Sequence, residues 1–328
     1  MPTTVAVVLA GGRGTRLYPA STADTPKQFR AFDGDRSLLA RTVDRARTVA
    51  DETYVLTREA YADRIHEHAP GVGVLVEPEP KDTGPALVYA AHRLREQVED
   101  CVLLCLPSDH HVGDGYDATF TRACDVAGET GGLVTLGVEP TRPATGYGYI
   151  EPGEPHDGYA AVASFTEKPD AEAAERYVEG GYLWNAGIFA WTPDALLEAA
   201  SEGVLAGFVD ALDTPEAAFD AVDPVSVDYA VMEGAEYAFV VPATFAGDDL
   251  GSWDALERVL ECDEAGNARL GETLALDAAD CVLAAGDDQH VSVVGVSELV
   301  VAAYDGRVLV VPKHEAQRVS EVVSELAD

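Results

Sequence analysis

The period of the hydrophobic pattern changes repeatedly along the chain, and each change marks an element. Val5–Ala10 is an unbroken apolar run rich in β-branched residues that ends in Gly11-Gly12, which predicts a strand buried on both faces, as in a parallel sheet. Helical spacing follows at Leu38–Val49, a strand pattern at Thr53–Thr57, helical spacing at Pro85–Val98 and a second strongly apolar strand at Val102–Leu106. The alternation continues with a strand at Leu133–Val138 and a helix at Ala171–Val178. Strands alternating with helices predict an α/β fold with a doubly wound, Rossmann-like sheet. Ligands of such sheets lie beyond the carboxyl ends of the strands, so the residues just after each strand are the first candidates for chemistry.

After about Ala265 the texture changes. Leu274–Leu276, Cys281–Ala284, Val291–Val294, Leu299–Ala303 and Val308–Val311 are short apolar runs at close spacing with Gly and Asp between them, and a helical pattern at Glu315–Leu326 follows. The predicted organisation is a large α/β domain over 1–264 and a small β domain with a terminal helix over 265–328. An apolar fraction of 47% rules out a disordered chain. No apolar stretch approaches a membrane span, and Val5–Ala10 is too short for the core of a secretion signal.

Charge changes the picture. The chain has 22 Lys and Arg against 58 Asp and Glu, a formal net charge of −36. Spread over a folded surface of roughly 13,000 Å², that is about one carboxylate per 220 Å². A general DNA or RNA binder needs a basic face, so nucleic acid is excluded as a partner. Self-repulsion at this density strains a compact state in dilute buffer, whereas molar salt shortens the screening length to about 3 Å. The expected setting is a cytoplasm of high salt. Five cysteines (Cys101, Cys105, Cys124, Cys262, Cys281) include no C-x-x-C pair, which argues against a disulfide framework or a zinc site. His110 and His111 are adjacent and point apart on an extended chain, so they are read as structural.

The first candidate for chemistry is Leu9-Ala-Gly-Gly-Arg-Gly-Thr-Arg-Leu-Tyr-Pro19, followed by Pro26-Lys27. A glycine-rich turn directly after a buried strand lets backbone N–H groups approach phosphate oxygens. Arg13, Arg16 and Lys27 add cationic donors. The loop is not a Walker A motif, since no Gly-Lys-Ser/Thr closes it, and Leu17 stands where a dinucleotide fingerprint needs its third glycine.

Gly12-x-Gly14-x-Arg16-Leu17-x-Pro19, with Pro26-Lys27 after it, resembles the signature of the sugar-1-phosphate nucleotidylyltransferases. Thr145–Ile150, Phe165–Pro169, Leu183–Phe189, Ser226–Glu233 and Asp249–Trp253 narrow the resemblance to the mannose-1-phosphate guanylyltransferases, and the six motifs occur in that family's order from about Thr4 onward. The resemblance implies a mixed sheet of the nucleotide-diphospho-sugar transferase type with a β-helix-like small domain. It also implies a reaction in which mannose 1-phosphate attacks the α-phosphate of GTP, giving GDP-mannose and pyrophosphate. The implied catalytic cations are Arg16 and Lys27. Nucleotide contacts are implied at Ala10, Gly11, Gly12, Arg13, Gly14, Thr15, Glu77, Thr83 and Ser108, and sugar-phosphate contacts at Gly146, Glu167, Lys168, Asn185 and Gly187. Asp109 and Asp249 match the family's ligands for a divalent cation, for which Mg²⁺ is the natural choice.

Asn185 is expected to offer both a donor and an acceptor to sugar hydroxyls, while Trp184 and Trp253 are expected in the core. Guanine presents N1–H and amino donors, which a carboxylate such as Glu77 can accept. The segment around it departs from the family's usual Arg-Asn-Thr-Ala at Lys81, Asp82 and Gly84. Base and sugar choice therefore stay open between GTP with mannose 1-phosphate and a pair such as dTTP or UTP with glucose 1-phosphate. A non-catalytic sugar-nucleotide-sensing subunit is the rival from another class. Gly247 stands where the family often has Trp, which bears on how firmly Asp249 is held. Bifunctional relatives carry a further isomerase domain and this chain ends before one, so no mannose-6-phosphate isomerase activity is expected. The small β domain is the candidate surface for a homodimer. Only four lysines occur, and three of them (Lys27, Lys81, Lys168) fall at these phosphate or substrate positions.

Overall fold

The computed structural model describes residues 2–12, 14–22, 24–32, 34–245, 247–249 and 251–327, apart from the side chains of residues 111, 247–249 and 327. In chain order the first elements are β1 (Thr3–Leu9), α1 (Leu38–Ala46), β2 (Glu52–Arg58), α2 (Glu59–His68), β3 (Gly73–Glu77), α3 (Thr83–Gln97), β4 (Cys101–Pro107), β5 (His110–Val112) and α4 (Tyr116–Thr130). They are followed by β6 (Leu133–Val138), the hairpin β7 (Tyr149–His156) and β8 (Tyr159–Thr166), α5 (Ala171–Glu179) and β9 (Leu183–Trp191). Four helices come next: α6 (Pro193–Ser201), α7 (Ala206–Asp210), α8 (Pro215–Ala221) and α9 (Val227–Ala230). The series ends with β10 (Ala238–Pro242), β11 (Gly247–Asp249) and α10 (Trp253–Leu256).

Nine strands form one sheet in the order β3-β2-β1-β4-β9-β6-β10-β8-β7. β1 runs parallel to both β2 and β4, and Val5–Val8 at its centre are fully buried, as their unbroken apolar run requires. β9 enters antiparallel between β4 and β6, so the sheet is mixed, as expected. Caps set several helix starts. Asp82 accepts from Thr83 N–H at 2.7 Å, which begins α3 two residues before the predicted Pro85. Asp170 accepts from Ala173 N–H at 2.8 Å and starts α5 at Ala171.

Beyond α10 lie β12 (Ala268–Leu270), β13 (Thr273–Leu276), β14 (Val282–Ala285), β15 (Val291–Val294), β16 (Leu299–Tyr304), β17 (Arg307–Pro312) and α11 (Val319–Ala327). β12, β14 and β16 stack in parallel register, β13 stacks on β15, and β17 folds back antiparallel on β16. These rungs form a short β-solenoid. Asp277, Asp280, Glu298 and Asp305 turn its corners at left-handed φ of 50–55°, where a short polar side chain is better tolerated than a bulky one. Leu283, Ala285, Val291, Val293, Val301 and Ala303 fill the space between the rungs. The predicted terminal helix begins differently: Lys313–Arg318 is a 3₁₀ turn, and α11 starts only at Val319. Pro312 supplies no capping side chain, so the first N–H groups close into the tighter turn.

The chain divides into two compact units: Met1–Gly11, Thr42–Pro107 and Val112–Gly247, and Gly12–Arg41, Ser108–His111 and Asp248–Asp328. The chain crosses from one unit to the other after β1, within α1, after β4, within β5 and within β11. In the second unit Trp253 is buried with Leu17, Phe32, Leu256 and the outer face of β14 and β16. Its indole N–H donates to Tyr18 O at 2.8 Å. Among the described residues no helix is long and apolar enough to cross a membrane.

Candidate functional site

In the second unit the chemistry gathers on the loop after β1. Gly14 has φ +63°, and a Cβ there would fall 2.7 Å from Lys27 Cγ and 2.9 Å from Ser21 Oγ, so the turn needs glycine twice over. Lys27 is buried, and its ammonium is ion-paired with the Asp109 carboxylate in the loop after β4. Burial alone would raise the Asp109 carboxyl, but Lys27, helped by His110, outweighs it and holds the group below the ordinary carboxylate range. Gln28 Nε2 donates to Gly12 O at 3.2 Å and fixes the loop's entry. Ser108 is buried beside Asp109 in sequence. Thr15 and Arg16 begin a 3₁₀ turn whose Leu17 is fully buried.

Arg16 itself is exposed and donates to Gln317 Oε1 at 3.1 Å. The Gln317 amide in turn donates to Ser252 Oγ at 2.9 Å, and Ser252 donates to Asp254 at 2.6 Å. Gln317 carried no signal in the sequence. β5 and β11 pair as a two-stranded ribbon, which sets the backbone of Asp249 beside the strand that follows Asp109. The Asp249 side chain and Arg13 lie outside the described residues.

In the first unit two groups of side chains stand out. Ala10 is held at the end of β1 by Leu56 O and Thr57 Oγ1, at 2.8 and 3.1 Å. Gly11 lies against the Glu77 carboxylate. Glu77 is buried at the end of β3, in register with Arg58. Burial pushes its carboxyl up to about 7, with Arg58 opposing and Asp82 adding to the rise. Thr83 Oγ1 accepts from Val227 N–H at 3.0 Å, so this hydroxyl is already engaged within the protein.

The second group surrounds Glu167, which is buried after β8. One of its oxygens pairs with Lys168 Nζ at 2.7 Å. The other, Oε2, is buried without a hydrogen-bond partner, and a Cβ on Gly148 would fall 2.5 Å from it. Gly148 is therefore the tight glycine of its motif, while Gly146 is exposed and faces open space. Lys168 sits at φ +47°, a strained conformation for its residue type. Burial would lower its ammonium, but Glu167, then Asp228 and Tyr229, overcome this and raise it.

Asn185 is committed inside the protein: its Oδ1 accepts from Thr135 Oγ1 at 2.8 Å and from Gly187 N–H at 3.1 Å, and its Nδ2 donates to Asp228 at 2.7 Å. Its carbonyl is thus not free for sugar hydroxyls, and the amide instead aims Asp228. Burial, then repulsion from Glu167, pushes the Asp228 carboxyl up to about 6. Glu233 accepts from Glu167 N–H at 2.9 Å. Asp228 and Glu233 both belong to the Ser226–Glu233 motif but were not singled out from sequence. Among the described residues no group of three or more His, Cys, Asp or Glu could hold a metal by itself.

Residues 5–265 match the family model described as Nucleotidyl transferase, and residues 271–326 match that of the MannoseP isomerase/GMP-like beta-helix domain. The chain belongs to the nucleotidyl transferase family. Among relatives of this nucleotidyl transferase, the xanthan biosynthesis protein XanB of Xanthomonas campestris pv. campestris (strain B100) is 37% identical over 343 residues, covering 98% of this chain and 72% of that protein. The mannose-1-phosphate guanylyltransferase of Sinorhizobium fredii (strain NBRC 101917 / NGR234) is 36% identical over 357 residues, covering 100% and 68%. A solved structure described as mannose-1-phosphate geranyltransferase from Thermus thermophilus superimposes with a TM-score of 0.92 at 38% identity, covering 99% of this chain and 100% of that one.

Proposed function

We propose that this nucleotidyl transferase moves GMP from GTP to mannose 1-phosphate, forming GDP-mannose and pyrophosphate. The observation that carries the reading is the Glu167–Lys168 pair: an ammonium suited to a sugar phosphate beside a buried carboxylate oxygen that still lacks a donor. A buried acceptor without a partner is costly, and a hexose hydroxyl satisfies it. The identity of the relatives supports mannose and guanine as the sugar and base.

The chemistry requires few proton transfers. An anionic phosphate oxygen of mannose 1-phosphate forms a bond to the α-phosphorus of GTP, the α–β phosphoanhydride bond breaks, and pyrophosphate leaves with the electron pair. Catalysis of such a step is chiefly positioning and charge neutralisation. In this reading Lys27 and Arg16 meet the triphosphate and the departing pyrophosphate, with the N–H groups of Gly11, Gly12, Gly14 and Thr15 around the phosphates and Ser108 at their edge. Glu77 accepts from guanine N1–H and its amino group, and Thr83 frames the base. Glu167, Lys168 and Gly187 meet the sugar phosphate, with Asn185 behind Asp228.

A divalent cation fits the donor set. Asp109 is a carboxylate held ionised, and a hard ion such as Mg²⁺ is commonly bound by one or two carboxylates plus substrate phosphates rather than by a protein cage. Asp109 and Asp249 would hold it, and when bound it would neutralise phosphoryl oxygens. The charge of −36 supports a protein adapted to a high-salt cytoplasm.

The test is pyrophosphate release by the pure protein across a grid of GTP, UTP and dTTP with mannose 1-phosphate and glucose 1-phosphate, in molar KCl and in dilute buffer with Mg²⁺. The reading expects release with GTP and mannose 1-phosphate well above every other pair, and more in KCl. Turnover with none of the pairs by folded protein would overturn it in favour of a sensing role.

A further inference from the structure

Two side chains at the carboxyl ends of adjacent strands hold opposite and unmet hydrogen-bonding capacity. Arg58 closes β2, Glu77 closes β3, and the parallel register sets the two level. Level residues on neighbouring strands project from the same face of a sheet, and the carboxyl end is where such sheets receive ligands. Glu77 is only 6% exposed, yet among the described residues no hydrogen bond or ion pair engages its carboxylate. Gly11 leaves one side of it open, since a Cβ there would fall 2.8 Å from Glu77 Oε1.

Arg58 acts on Glu77 electrostatically without pairing with it. Its guanidinium lies 4.2 Å from the centroid of the Tyr61 ring, and Nη2 donates to Tyr61 Oη. Tyr61 is itself buried on α2, so the guanidinium rests on a fixed plane and has little freedom left to lose on binding. Arg58 Nε is buried without an acceptor among the described residues. In a chain with 58 acids, an arginine with no carboxylate among its described partners keeps both its charge and its donors for a ligand. A buried donor left unpaired is costly, and an acceptor on that ligand relieves the cost.

We propose that Arg58 is a specificity-determining residue for the base, donating to the O6 carbonyl of guanine while Glu77 accepts from N1–H and the 2-amino group. A donor beside an acceptor is the complement of that edge. Adenine and cytosine place an amino group where guanine has its carbonyl, so Arg58 meets a second donor and rejects them. Uracil and thymine keep a carbonyl but lack the 2-amino group, so their rejection falls to Glu77. Arg58 thus selects oxo bases over amino bases, and Glu77 selects guanine among the oxo bases. The assignment rests on the functional reading above and adds a residue to it.

Nucleotide analogues test it. 6-Thio-GTP keeps both donors but carries sulfur, a weak acceptor, in place of O6, whereas ITP keeps O6 and lacks the 2-amino group. kcat/KM for GTP, 6-thio-GTP and ITP is measured with mannose 1-phosphate for wild type and Arg58→Met, in molar KCl with Mg²⁺ at about pH 8.5, where Glu77 stays ionised. Wild type is expected to favour GTP over 6-thio-GTP about tenfold, and Arg58→Met to shrink that ratio to within about twofold while keeping the preference for GTP over ITP. A purely structural role would lower the rates with all three nucleotides alike. Wild type that uses 6-thio-GTP as well as GTP overturns the assignment without any variant. Arg58→Met that keeps the full ratio, or that loses both ratios together, overturns it as well, and each of these results leaves the function standing. Failure of folded wild type to turn over any of the nucleotides overturns both.

Discussion

The loop after β1 and the surroundings of Glu167, assigned in the proposed reading to the nucleotide and to the sugar phosphate, lie in a chain of net charge −36 and hold their own charges differently. On the loop, Lys27 already has Asp109 and Arg16 already has Gln317. Around Glu167 the acids exceed the cations: Lys168 stands against Glu167 and Asp228, one carboxylate oxygen has no partner, and Asp228 is pushed up to about 6. Lys27 is thus already charge-compensated by a carboxylate, whereas Arg16 meets only a neutral amide oxygen and keeps its charge for an incoming anion. An acid-rich site holds an unfavourable arrangement that incoming hydroxyl donors relieve. In the proposed reading the first arrangement serves the nucleotide phosphates and the second the sugar phosphate and its hydroxyls.

The comparison breaks most severely at Lys27. Lys27→Met removes a cation and leaves Asp109 without its counter-charge, so kcat should fall on the order of a thousandfold, with the melting temperature also lowered. Steady-state rates below the unfolding transition check this, and a rate within a few-fold of wild type would show that the loop does not neutralise the reaction. Next comes Glu167→Gln, which keeps the shape but loses a charged acceptor. KM for mannose 1-phosphate should rise about 10- to 100-fold while KM for GTP stays near wild type. An equal rise in both constants would deny the division between the two regions.

A smaller effect concerns pH. Burial pushes the Glu77 carboxyl up to about 7, so as pH falls through 7 it takes up a proton and, in the proposed reading, loses an acceptor for guanine. KM for GTP should then climb by up to about tenfold per pH unit, and Glu77→Gln should flatten the profile at a raised KM. A flat wild-type profile between about pH 5.5 and 8 would remove Glu77 from base recognition. The smallest effect is on stability. Asp228 at about 6 lies above its ordinary 3.8, so the fold binds its proton more tightly than the unfolded chain does. The resulting cost is absent below the ordinary value, grows as pH rises from 4 to 6, and is complete above 6. Asp228→Asn should therefore stabilise the protein by on the order of 1 kcal/mol at pH 8 and by little at pH 4. Urea unfolding at the two pH values decides it, and an equal change at both would contradict the assignment.

Much of this was legible in the chain because it is local. The apolar run before Gly11 predicts β1, the close Gly and Asp spacing after Ala265 predicts the short strands of a small β domain, and Lys27 stands out because lysine is scarce. What was not legible depends on partners distant in sequence. β9 takes its place between β4 and β6 by pairing that no local period encodes. Asp228 is one acid among 58, and only an amide 43 positions away distinguishes it. Gln317 meets Arg16 across 301 positions. The Asn185 side chain can both donate and accept, which suits a ligand, but its oxygen accepts from Thr135 and Gly187 and one of its N–H groups goes to Asp228, partners that no local pattern reveals.

The most direct test of the account is pyrophosphate release by wild type, Lys27→Met and Glu167→Gln in molar KCl with Mg²⁺, with GTP and mannose 1-phosphate each varied in turn. The account predicts release that needs both substrates, a collapse of kcat in Lys27→Met, and in Glu167→Gln a weakened KM confined to the sugar phosphate. Release that continues without mannose 1-phosphate, or variants that turn over as wild type does, would contradict it.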